Sequence, residues 1–171
     1  MSTNPFAGPI PTIQQQTLLE GPLSAVEMLP AVATAGQLSV VLHPLAPRTL
    51  GSPLHTHRSE DEYSIITDGT VGVQVGGTTT MAQPGDVVCK PRGVPHAFWN
   101  PTDEPAALLD IITPGGFAGY FRELGDIFSS GGPDPEAFGA LAARYGLDVD
   151  FSSIESLARE HGLQLDAPSP G

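Results

Sequence analysis

His55-Thr56-His57-Arg58-Ser59-Glu60-Asp61-Glu62 and Gly85-Asp86-Val87-Val88-Cys89-Lys90-Pro91-Arg92-Gly93-Val94-Pro95-His96-Ala97-Phe98-Trp99-Asn100, with a short hairpin between them, hold three of the chain's five histidines. In an extended segment His55 and His57 point to the same side, because side chains alternate along a strand. Three neutral imidazoles joined by one carboxylate suit a divalent transition metal (Fe, Mn, Ni, Co, Cu or Zn) and leave positions free for water or substrate. On residue type alone the carboxylate is Glu60, Asp61 or Glu62. This stretch therefore reads as a metal site built on short strands.

The flanking residues extend that reading. Glu62–Thr67, Thr70–Val75, Thr78–Ala82 and Val87–Lys90 form short runs separated by Asp68-Gly69, Gly76-Gly77 and Pro84-Gly85-Asp86. Evenly spaced strands with such turns indicate a sandwich or small barrel. Upstream, Gln37–Leu45 alternates as a strand, Thr17–Met28 is a poorly patterned strand, and Pro44, Pro47, Gly51 and Pro53 mark a loop. Downstream, Ala106–Thr113 is an apolar strand interrupted by Asp110. After Pro114 the period becomes helical, at Phe117, Tyr120, Phe121 and Leu124 and again at Phe138, Leu141, Ala142 and Tyr145. Asp134-Pro135 has the form of a helix N-cap. Ser152-Ser153-Ile154-Glu155 reads as a capping box for a third helix through His161.

In order, the two blocks read H-x-H-x4-E-x6-G and G-x5-P-x-G-x2-H-x3-N, which resembles the paired motifs of the cupin superfamily. One position departs: the family usually has a glycine where this chain has Thr49. The resemblance implies an all-β fold with C-terminal helices, the cupin double-stranded β-helix or jelly-roll barrel. It implies His55, His57, Glu62 and His96 as metal ligands. Pro114-Gly115-Gly116-Phe117 before an aromatic helix is similar to the tails of single-domain bacterial cupins, including relatives of quercetinases. That likeness implies a metal-dependent dioxygenase of enolic or phenolic substrates, with Glu62 also accepting a substrate proton. The alternatives are a non-oxidative isomerase, cyclase or lyase, and a non-catalytic module that binds metal and a small ligand. The expected organisation is an arm (1–16), a barrel (17–113) and a helical extension (114–171) ending in a disordered tail.

Several other residues carry a functional and a plain reading side by side. Ser64 and Ile66 share a face with Glu62, and Phe98 shares one with His96, so they line a pocket or simply pack. Asp110 among Leu108, Leu109, Ile111 and Ile112 is costly to bury without a partner, so it faces water or a specific group. His43 either contacts substrate or is structural. Cys89 shares parity with Val87 and is expected as a small buried residue. His161 is expected to be solvated at a helix end. Tyr63 and Trp99 point away from the ligand side and are expected to pack between layers.

At 171 residues the chain suits one domain. Nineteen acidic residues against seven basic ones give a net charge of −12, which disfavours nucleic acid and anionic membranes. No DNA-binding helical unit precedes the motifs. No apolar run reaches membrane-spanning length, the first residues lack the basic segment and apolar run of a signal peptide, so none is expected, and the single cysteine gives no disulfide framework. A cytoplasmic homodimer is expected, because barrel edges need covering and the arm has few apolar residues to anchor it.

Overall fold

The computed structural model describes residues 8, 15–21, 23–131 and 135–165. Most of the expected arm, Asp134 as an N-cap and the last residues of the tail lie outside the described residues.

Eleven strands are described: β1 (Gln16–Leu19), β2 (Ala25–Leu29), β3 (Ser39–Leu45), β4 (Leu50–His57), β5 (Asp61–Asp68), β6 (Val71–Val75), β7 (Thr78–Ala82), β8 (Val87–Lys90), β9 (His96–Trp99), β10 (Ala106–Thr113) and β11 (Leu147–Asp150). Helices α1 (Ala118–Gly131), α2 (Pro135–Arg144) and α3 (Ser153–His161) all follow β10. Two antiparallel sheets face each other, one ordered β1-β2-β3-β10-β5-β8 and the other β11-β4-β9-β6-β7. This is a double-stranded β-helix.

The barrel interior is filled by Leu45, Ile66, Val71, Val73, Phe98 and Leu108. A second cluster joins Leu18, Leu19, Val41 and Ile112 to Phe117, Phe121, Leu124 and Leu141, so α1 and α2 close one end of the barrel. A third seats Leu157 of α3 on Leu50, Ala97 and Trp99, on the outside of the smaller sheet. The motif turns do the expected work. Gly69 closes β5 at φ +64°, where a Cβ would strike the Pro105 carbonyl and Ala106. The Asn100 amide is buried; it donates to the carbonyls of Ala46 (3.0 Å) and Glu104 (2.7 Å) and accepts from the Thr102 N–H at 2.9 Å. Thr49, the departure from the family pattern, is buried and accepts from the Asn100 N–H at 2.8 Å.

The structure corrects several local expectations. The loop through Pro53 is strand from Leu50 onward; register shifts between Leu50 and Ser52 and between Ser52 and His55 open the ladder where Pro53 has no N–H to give. Thr17–Met28 is two strands. Residues 147–150, between the second and third expected helices, form β11, paired with β4 from Leu147↔His57 to Asp150↔Leu54. Ser152 makes no cap hydrogen bond to α3. Instead the Ser153 hydroxyl accepts the Leu54 N–H at 2.8 Å and donates to the Asp150 carbonyl at 2.7 Å, pinning α3 to β4. His161 is not simply solvated: its ring stacks on Trp99 at 4.1 Å. Cys89 is exposed, and Tyr63 is 38% exposed rather than packed between layers.

Candidate metal centre

β4 places His55 and His57 on one side, and His55 stands directly opposite His96 of β9. Glu62 arrives from β5 in the other sheet, so the cluster spans the space between the sheets. One ligand atom from each of His55, His57, Glu62 and His96 can be chosen so that all four lie within 4.8 Å of one another.

Hydrogen bonds set the tautomers. The Nδ1–H of His55 donates to the Pro53 carbonyl at 2.8 Å, and that of His96 to the Val94 carbonyl at 3.0 Å. Carbonyls only accept, so in the neutral rings Nε2 carries the lone pair. The Nε2 of His96 lies 3.2 Å from Glu62 Oε2, and the Nε2 of His57 lies 3.4 Å from Glu62 Oε1. Both ring nitrogens of His57 are buried without a hydrogen-bond partner. The Nε2 lone pairs of His55 and His96 and the Glu62 carboxylate converge on a space that fits a cation, and a buried orphan such as the His57 ring is rare without a ligand to satisfy it. Burial, reinforced by His96 and His57, holds His55 well below the ordinary imidazole pKa. It stays neutral, as a metal ligand must.

Lys90 stands out in the structure, where it is central, and not in the motif spacing. Its ammonium is buried and donates to Glu62 Oε2 at 2.8 Å and to Asp110 Oδ1 and Oδ2 at 2.9 and 3.0 Å. Asp110 also accepts the Ser64 hydroxyl at 2.5 Å. Burial opposes both charges. Even so, Lys90 first and then His57 and His96 pull Glu62 well below the usual carboxylate range, while Asp110 and Glu62 raise Lys90. The cross-strand pair Glu62↔Lys90 was the available signal. Taking Val87 and Cys89 as the inward side reversed the phase of β8 and turned Lys90 outward.

A cavity of about 740 Å³ opens on the cluster. His55, His57 and Glu62 line it, together with Phe98, Asp110 and His43 from the other candidates. Ser64 and Ile66 are not among its walls. Ser64 sits behind Asp110, and Ile66 belongs to the barrel core. The His43 Nδ1–H donates to the Ser24 carbonyl at 2.7 Å, and its Nε2 is 3.6 Å from Asp110 Oδ2. Burial lowers its pKa despite Asp110. Phe117, Tyr120, Phe121 and Leu124 of the tail form much of the opposite wall, and Phe117 meets the His57 ring edge-on at 4.3 Å. No lysine or arginine lines the cavity, among the described residues.

Residues 41–112 match the family model described as Cupin domain, a span that contains all four clustered residues. No curated protein matches the sequence significantly. Among solved structures, the chain is similar to a sugar phosphate isomerase of the cupin superfamily from Silicibacter pomeroyi. Identity is 24% and the TM-score 0.52, over 62% of this chain and 75% of that one. It is also similar to KdgF from Halomonas sp., at 17% identity and TM-score 0.53 over 63% and 94% of the two chains. A predicted oxalate decarboxylase from Thermotoga maritima matches at 22% and 0.50, over 53% and 78%. These likenesses establish the cupin fold. No helix among the described residues is long and apolar enough to cross a membrane.

Proposed function

We propose that this chain is a metal-dependent enzyme acting on a small, largely apolar organic molecule with an enolic or phenolic oxygen, and that its reaction is a dioxygenation. The observation that carries this reading is the apolar cavity that ends at the three-histidine, one-carboxylate cluster. Its aromatic walls suit the body of such a substrate, and a phosphorylated sugar would find no cationic side chain in it.

His55, His57, Glu62 and His96 would hold the ion, whose contribution is Lewis-acid polarisation of the substrate oxygen. The chain's own residues do the rest. Lys90 keeps Glu62 ionised, so its carboxylate can take the proton released when the substrate hydroxyl binds. Phe117 and Phe98 exclude bulk water beside the histidines, which strengthens each electrostatic contact there. His43 and Asp110 offer a second polar point within the apolar wall.

The test is elemental analysis of protein expressed without an affinity tag, followed by oxygen-electrode measurements with enolic and phenolic substrates. Bound divalent metal with substrate-dependent oxygen consumption is the expected result. Substrate turnover without oxygen uptake would move the chain to isomerase, cyclase or lyase chemistry. Metal and ligand binding without turnover would make it a binding module, and protein that takes up no transition metal would end the reading.

A further inference from the structure

Asp110 and His43 present two hydrogen-bond acceptors side by side on the cavity wall. Each carboxylate oxygen accepts about two donors. Oδ1 of Asp110 already accepts both the Ser64 hydroxyl and the Lys90 ammonium. Among the described residues Oδ2 accepts only Lys90, at 3.0 Å, which leaves one of its lone pairs unused. The proton of the neutral His43 ring sits on Nδ1, which donates to the Ser24 carbonyl at 2.7 Å. Its Nε2 therefore carries a lone pair. Nε2 and Oδ2 stand 3.6 Å apart, too far for a hydrogen bond, and neither has a proton to give the other. His43 is 1% exposed, and its ring is held against Phe98 and Phe121 at centroid distances of 5.5 and 5.2 Å. A buried acceptor pair fixed in this way is matched by a donor that enters the cavity.

We infer that the substrate carries a second hydroxyl, separate from the oxygen offered to the metal ligands, which His43 Nε2 and Asp110 Oδ2 accept between them. This rests on the proposal that the cavity takes an enolic or phenolic molecule, and adds the substituent which that molecule must bear. Lys90 fixes the spacing: its ammonium bonds Glu62 Oε2 on one side and both oxygens of Asp110 on the other. The acceptor pair thus stands one ammonium away from the clustered carboxylate, a span that two hydroxyls on one aromatic ring can bridge. Charge narrows the substituent further. Glu20, Glu62 and Asp110 line the cavity with no lysine or arginine among the described residues, so a carboxylate or phosphate would meet only acceptors. An ether or a halogen brings no proton and leaves both lone pairs buried and unmet. A site that reads a hydroxyl through buried groups rejects the analogue that lacks it.

Calorimetric titration with resorcinol and 3-fluorophenol tests this without turnover, since the two differ in the group that reaches the acceptor pair. Zinc-loaded protein, which holds a metal without redox chemistry, should bind resorcinol about tenfold or more tightly than its near-isostere without the donor. His43→Asn keeps a donor for the Ser24 carbonyl but deletes the acceptor at Nε2, so most of that preference should vanish. His43→Gln returns an amide oxygen to about the place of Nε2 and should keep the preference. Wild-type protein that binds the two probes equally, or does not bind resorcinol, overturns the inference without any variant having to fold. So does a full preference surviving in His43→Asn, or one lost in both variants, which would trace it to ring packing. The same titrations on metal-free protein separate the two readings. A preference for resorcinol in a protein that takes up no zinc keeps the donor site and ends the metal-dependent reaction.

Discussion

Strand β10 turns two very different faces to its surroundings. Inward, Asp110 meets Lys90, Ser64 and His43, with Glu62 one contact further on. Outward, Leu109 and Ile111 join rows of aliphatic and aromatic side chains that none of the described helices covers. Around this point the charges are inside and the hydrocarbon is outside. The difference teaches that alternation identifies two faces without saying which one is buried. A buried charge costs several kcal/mol in desolvation, and it persists here because one ammonium is shared by two carboxylates with short contacts to each. The apolar face needs no such arrangement.

The comparison breaks most sharply at Lys90. Lys90→Met leaves Glu62 and Asp110 facing each other with no cation between them, and should cost about 3–5 kcal/mol in urea unfolding of the metal-free protein. Leu109→Ser, one residue from Asp110 on the opposite face, should cost about 1 kcal/mol or less. Equal costs for the two substitutions would erase the distinction between the faces.

Glu62→Gln comes next, because it separates holding a metal from using it. Three histidines remain, so metal content should fall without vanishing. At equal metal loading, turnover should drop about a hundredfold or more, the usual contribution of a positioned base. Normal turnover of the metal-loaded variant would reduce Glu62 to a ligand.

Metal removal should have a smaller effect, on the fold itself. Ligands from two sequence blocks come together only in the native chain, so a divalent ion at about a hundred times its dissociation constant adds about 2.7 kcal/mol. For a chain of this length that is about 5–10 °C in melting temperature, lost with a chelator and regained with a transition metal. Coincident melting curves for metal-free and fully occupied protein would contradict it.

Tyr145 carries the smallest effect; its ring meets those of Phe117 and Tyr120 in the cavity wall. Burial and its hydrogen bond to Glu123, at 2.6 Å, push its phenol up to about 12. The folded value exceeds the unfolded one of about 10, so the interaction stabilises fully below pH ~10 and is lost as pH rises through about 12. An ultraviolet titration should show two late-ionising tyrosines, because burial also raises Tyr120. Tyr145→Phe should remove one of those two late steps, and an unchanged curve would count against the contact.

Motif spacing made the four clustered residues legible in the sequence, and turn chemistry did the same for β6, β7 and β10. The rest was hidden for identifiable reasons. Lys90 and Cys89 exchange roles because four residues of β8 offer two equally plausible phases, and only the pairing with Glu62 selects one. β4 was masked by Pro53, a residue that argues against strand except where the ladder is irregular. β11 is four residues with two aspartates, too short and too polar to announce itself without its partner. The helices of the tail were visible as apolar periodicity, but that pattern could not reveal that their aromatic side meets the histidines.

The pairing of β11 with β4 also bears on how the chain is made. The contact between Arg58, next to the histidine strand, and Asp148, in its late partner, spans ninety residues. At ribosomal speeds of about 5–20 residues per second, β4 waits on the order of 5–20 s after synthesis before β11 emerges to cover its edge. During that interval the strand bearing His55 and His57 has an open row of backbone donors and acceptors on that side. The nascent chain is then most exposed to wrong pairing in the segment that carries two of the four clustered residues.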